Sequence, residues 1–203
     1  MQSSILQNNR CSTHIHIGGQ HSGNLHTDSP HFNRRFSAYA IKLGAQVEDS
    51  LRKLLPVSRD PRSNRYCASI KKYGKYSIKN KKDFDKLVAN YVFDSSNLSK
   101  SNNTKTSVNR WTPSRYKWLN LVNCNTDNGH RRNGDSFQTI EFRIFPPTTN
   151  PEKLHLWILI CQAFVWFVEN RQKDIEKGGV TIQQVIQEAY KGRKIMEFIE
   201  KQL

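Results

Sequence analysis

Cysteine is scarce: the 203 residues hold four, Cys11, Cys67, Cys124 and Cys161. They stand far apart with no paired spacing, which excludes a disulfide framework and fits reduced thiols in a cytoplasmic protein. Long apolar runs are missing too. The most apolar stretch, 154–168, is shorter than the roughly 20 residues a bilayer requires and contains His155 and Gln162. No apolar run follows a basic start, so neither a signal peptide nor a membrane partner is expected. Acid is short as well, at 17 Asp and Glu against 32 Lys and Arg. Residues 1–27 contain no carboxylate, and Asp28 is the first.

What is there is positive charge. Residues 52–132 carry 19 Lys and Arg against 5 Asp, nearly all of the net +15. Such a block suits polyanions: a nucleoside triphosphate, a nucleic acid or an acidic peptide. A run such as "KKYGKYSIKNKKDFDK" is equally compatible with a solvated lysine surface.

Hydropathy places the elements. In "CSTHIHIGG" the period of two puts Ser12, His14 and His16 on one face of a strand and Ile15 and Ile17 on the other. Ser29 and Pro30 read as the cap and first residue of an amphipathic helix carrying Phe32, Phe36, Leu43, Val47, Leu51 and Leu55, which ends at Pro56. "PVSRDPRSNRYC" follows as a loop bearing Arg59, Arg62 and Arg65. A short helix is predicted over 83–93, and a mobile polar loop over 94–110.

"YKWLNLVN" and "FQTIEFRIF" read as two strands of a long hairpin. In the second, Ile140, Phe142 and Ile144 face one way and Thr139, Glu141 and Arg143 the other. Asn150 and Pro151 open a helix that is apolar almost all round to residue 168, predicted as the central buried helix. Thr181 and Gln184 form a capping box, Gly192 ends that helix, and a short amphipathic helix closes 181–203. The fold class is therefore α+β, with an antiparallel or mixed sheet backed by the 30–55 and 151–169 helices, in one domain spanning 1–203. The sheet presents a polar floor bearing His14, His16, Glu141 and Arg143.

These segments also carry a resemblance. "CSTHIHIGG", a long helix, "PVSRDPRSNRYC", "RYKWLNL" and "TIEFRIFPPTTNPEKLHLWI", in that order over roughly residues 11–170, resemble the amidoligase family. That family is a branch of the carboxylate-amine ligases, which include glutamine synthetase and glutamate-cysteine ligase. The resemblance implies a glutamine-synthetase-like catalytic fold. It also implies an ATP-dependent condensation, with Mg²⁺ or Mn²⁺, of a carboxylate with the amine of an amino acid, peptide or protein. ATP would phosphorylate the carboxylate, and the amine would displace phosphate.

By motif, His14 and His16 would meet metal and nucleotide. Glu141 would bind metal, and Arg143 would meet phosphate or carboxylate oxygens. Arg59, Asn64 and Arg115 fall where the family carries substrate-facing polar residues. The family's first strand bears closely spaced glutamates, for which residues 1–27 have no counterpart. The expectation is that another segment or a partner chain supplies those acids, and that 1–203 alone is incomplete or inactive.

Two other classes stay open. A His-x-His pair is also the metal motif of nucleases that cut single-stranded DNA with a tyrosine. Tyr76 and Lys79 in "YSIK" have the spacing for that nucleophile, and the basic segment would suit DNA. A non-catalytic chain that binds anions or nucleic acid on the ligase scaffold is the third reading. Zinc held by Cys11, His14 and His16 is disfavoured because Cys11 leaves the histidine face of a regular strand.

Overall fold

A computed structural model describes residues 12–18, 33–60, 67–92, 116–121 and 139–203. Along the chain run β1 (Thr13–Gly18), α1 (Arg34–Arg52), α2 (Lys81–Val92), β2 (Leu119–Asn120), β3 (Thr139–Phe145), α3 (Pro151–Asn170), α4 (Gln172–Lys177), α5 (Ile182–Tyr190) and α6 (Ile195–Gln202). Short 3-10 turns occupy Val57–Arg59 and Lys71–Lys75. The loop expected at 94–110, the cap expected at Ser29 and Asn64 and Arg115 all lie outside the described residues.

The α+β class holds. The three strands form one antiparallel sheet in the order β1-β3-β2, extended beyond β2 by an isolated parallel bridge between Ala68 and Lys117. Side chains alternate across it as the period of two demands. Ile15, Ile140, Phe142 and Ile144 are buried. Phe142 meets Phe164 of α3 edge to face at 5.3 Å, Trp118 meets the same ring at 6.4 Å, and Phe145 stacks on Trp157 at 5.1 Å. The apolar face of the sheet is thereby sealed under α3, and the polar face is left for the site.

Four sequence expectations need correction. First, α1 begins at Arg34, because Asn33 accepts a hydrogen bond from the N–H of Phe36 and so caps the helix itself. Second, it ends at Arg52, short of Pro56: the N–H groups of Leu54 and Leu55 reach back only three residues, a tighter turn that closes the helix. Third, α1 is more enclosed than α3, whose Leu154, His155 and Gln162 are exposed. The reason is packing from several sides, since α2, α3, α4 and α5 all lie on α1. Gly44 permits the close approach, because a Cβ there would stand 2.7 Å from Ile70 and 3.1 Å from Leu119. The expected loop after Pro56 also winds into a 3-10 turn.

Polar hubs on α1 fasten the rest of the chain. Glu48, 1% exposed, accepts from Arg52 at 2.9 Å, the N–H of Ile70 at 2.9 Å and the indole N–H of Trp118 at 3.1 Å. Arg52 in turn donates to the carbonyls of Arg59 and Cys67. A carboxylate with these donors satisfies backbone that would otherwise be buried without partners. Gln46 and Ser50 do the same for the C-terminal helices, holding Ile175, Val180 and Ile182. The helix start appears where it was read: Thr181 accepts from the N–H of Gln184, one half of a capping box, and Gly192 follows at φ 71°, a conformation that favours glycine. Among the described residues no helix is long and apolar enough to cross a membrane.

Candidate functional site

β3 is the middle strand, so a residue on its polar face has a neighbour on each side. The register pairs His16 with Glu141 and Asn120 with Glu141, which makes a row His16, Glu141, Asn120 across all three strands. Between Thr13 and Ile15 the register slips, two steps on β1 standing opposite three on β3. Such a bulge re-aims the side chains beside it. Here it accompanies His14 swinging onto Glu141: Nδ1 lies 2.8 Å from Oε1.

Glu141 is the centre of the cluster. Only 6% exposed, it is met by His14, by His16 Nε2 at 3.7 Å and by Arg143 Nε at 3.8 Å, all on Oε1. Asn120 Nδ2 donates to Oε2 at 2.5 Å. Burial by itself would push this carboxyl's pKa up. The His14 and Asn120 hydrogen bonds and the Arg143 charge outweigh that and hold it down at about 2. Glu141 is therefore ionised at any pH of interest. An ionised carboxylate only accepts, so His14 carries its proton on Nδ1. Its other nitrogen, Nε2, lies 2.7 Å from the hydroxyl of Ser12. His16 Nδ1 sits 3.3 Å from Thr139 Oγ1. The carboxylate is buried, while the imidazoles of His14 and His16 are 36% and 44% exposed. Solvent reaches the cluster from the histidine side.

His14, His16, Glu141 and Arg143 are thus brought together on one face of one sheet. Arg59 is elsewhere: 3% exposed, its guanidinium donates to Cys67 Sγ, whose thiol reaches the carbonyl of Arg143. It supports β3 from behind its backbone. Tyr76 stands at the end of the 71–75 turn, stacked on Tyr73 at 6.2 Å with its carbonyl accepting from Lys42 of α1. Both partners lie off the histidine strand. Lys79 is exposed, as are Lys71, Lys72, Lys75, Lys81 and Lys82.

Asn120 and Ser12 were not picked out as site residues. The signal for Asn120 was present: "LNL" alternates apolar and polar, which sends the asparagine to the face opposite Leu119 and Leu121. Ser12 shares the histidine face by the same count.

The donor set also bears on a metal. Mg²⁺ asks for near-octahedral oxygen ligands, usually carboxylates with phosphate and water. Both oxygens of Glu141 are already engaged, and a guanidinium stands 3.8 Å away. Among the described residues no group of three or more His, Cys, Asp or Glu is arranged to hold a metal ion. These residues do not by themselves fit Mg²⁺.

A family model described as putative amidoligase enzyme matches residues 2–165, which takes in β1, β3 and most of α3 and leaves α4 to α6 beyond it. No curated protein and no solved structure matches the chain.

Proposed function

The chain belongs to the amidoligase family, and from that premise we propose that it is an ATP-dependent ligase joining a carboxylate to an amine on the polar face of its sheet. In this reading the sheet is part of a glutamine-synthetase-like catalytic domain. ATP phosphorylates the substrate carboxylate, and the amine of an amino acid, peptide or protein displaces phosphate. The observation that supports it best is the ionised Glu141 gathering His14, His16 and Arg143 on an otherwise apolar-backed strand.

Each side chain has a role in that chemistry. Arg143 is matched to phosphate or carboxylate oxygens, and Glu141 orients its guanidinium. His14 holds Glu141 through its Nδ1–H, and His16 stands on the open side, where negative charge would gather on the moving phosphoryl group. Mg²⁺, when bound, supplies further positive charge to the phosphates. Since the described residues do not build a site for it, the ion enters on the nucleotide, and a partner chain or a segment outside the described residues supplies the remaining acids.

Nucleotide binding tests the reading directly. ATP with Mg²⁺ at a hundred times its dissociation constant raises stability by about 2.7 kcal/mol if it binds only the folded state. A rise in Tm that disappears in Arg143→Ala is the expected result. No shift with ATP, together with a shift on single-stranded DNA and Mn²⁺, overturns it in favour of the nuclease. Tyr76→Phe separates the two again, since it leaves a ligase untouched and abolishes a covalent DNA adduct.

A further inference from the structure

The ligase reading assigns no role to Ser12. Ser12, His14 and Glu141 form a continuous chain of hydrogen bonds: hydroxyl to imidazole Nε2 at 2.7 Å, imidazole Nδ1 to carboxylate at 2.8 Å. The direction of the protons follows from Glu141. With the Nδ1 hydrogen directed at the carboxylate at 2.8 Å, the Ser12 hydroxyl at 2.7 Å is placed to donate to the lone pair of Nε2. That is the state in which a serine oxygen is activated for attack.

The relay runs from a buried carboxylate outward to the histidine face. The carboxylate is 7% exposed and the imidazole 36%, and the half-buried serine lies beyond the imidazole, where β1 begins. Ser12 and His14 share the strand face, and the adjacent bulge brings His14 onto Glu141. Asn120 and Arg143 hold the carboxylate in place. A structural histidine needs no hydroxyl at its second nitrogen, nor an ionised, multiply anchored carboxylate at its first. Nucleophile, base and orienting acid are each in hydrogen-bond reach of the next, the relation by which such a relay is recognised whatever the fold.

We propose that Ser12 is a nucleophile, activated by His14 and Glu141, that takes the acyl group of carboxylic esters without ATP. Ser12 Oγ forms a bond to the acyl carbon and its proton passes to His14 Nε2. The bond to the leaving alcohol breaks, and the alcohol leaves with that proton. Water then attacks the acyl-serine, giving a proton to His14, and Ser12 recovers it as the acid departs. The sum is ester and water to acid and alcohol.

The experiment treats the full chain with a fluorophosphonate and maps the adduct by peptide mass, in parallel with release of p-nitrophenol from p-nitrophenyl acetate. A single adduct on Ser12 is expected, with a burst of p-nitrophenol. Ser12→Ala should lose both, and His14→Gln should slow labelling by about a hundredfold or more, the scale of a general base. Wild-type protein with no adduct on Ser12, or labelling unchanged in His14→Gln, overturns the proposal. The wild-type map decides even if a variant fails to fold. No ATP enters the assay, so a negative result leaves the ligase reading standing, and a failure of ATP to bind leaves this one standing.

Discussion

Replacing Glu141 by Gln isolates the electrostatics of the site. The folded carboxyl titrates at about 2 against an ordinary 4.5. At about 1.4 kcal/mol per pKa unit, the gap corresponds to roughly 3 kcal/mol of stability carried by the ionised form. The sign follows from which state takes the proton. The folded pKa lies below the unfolded one, so as pH falls the unfolded chain is protonated first. The contribution is fully present above about pH 5 and is lost between there and about pH 2. Glutamine keeps the shape and takes no proton, so its variant lacks this dependence.

The measurement is a set of urea unfolding curves for both proteins from pH 6 to pH 2, followed by tryptophan fluorescence. Wild type should be the more stable at pH 6, and its advantage should shrink by about 3 kcal/mol on going to pH 2. Subtracting one protein from the other removes the remaining carboxylates, which titrate in both. A difference that stays flat would refute the account of His14, Asn120 and Arg143 as the groups that hold Glu141 ionised. An advantage that grows toward acid would show that burial dominates instead and that the pKa is raised.

Other substitutions probe the frame that carries the site. Glu48→Ala leaves Arg52 without its carboxylate and the N–H groups of Ile70 and Trp118 without theirs; a loss of about 3 to 5 kcal/mol is expected in chemical denaturation, and less for Glu48→Gln. Phe164→Ala empties the contact with Phe142 and Trp118 under the sheet and should lower stability by about 3 to 5 kcal/mol in the same assay, with a fall in the ATP-induced Tm shift as the floor of the site loosens. Asn150 accepts from the N–H groups of Glu152 and Lys153 at the start of α3, so Asn150→Ala should lower stability by about 1 kcal/mol, seen as a lower urea midpoint with the adduct and nucleotide assays unchanged.

Alternation and capping were legible in the residues themselves. A strand has a period of two whatever it pairs with, so "THIHIG" and "TIEFRIF" declare which side chains share a face before any partner is known. Asn150 with Pro151, and Thr181 with Gln184, mark helix starts because the groups they satisfy lie within three residues. That is why the histidine face, the Glu141 and Arg143 face, and the starts of α3 and α5 agree with the sequence reading, whereas α4, which has no side-chain cap, was not expected. The beginning of α1 did not follow from local signals, since Ser29 with Pro30 and Asn33 both fit a cap.

Register and burial were decided only by the tertiary structure. Sequence alternation puts His14, His16 and Glu141 on polar faces but cannot say that β3 is the central strand, or that Glu141 stands between His16 and Asn120. Nor can it place the bulge that brings His14 within 2.8 Å of Glu141. The β1–β3 pairs join residues more than a hundred positions apart, and Asn120 stands 21 from Glu141; local composition carries no signal for either. The enclosure of α1 has the same origin: its pattern is amphipathic, yet neighbours on several sides bury Ser37, Glu48 and Gly44 along with the apolar stripe. A carboxylate such as Glu141 or Glu48 reads as a surface residue in the sequence, and it becomes a buried hub only when the fold delivers its donors from other elements.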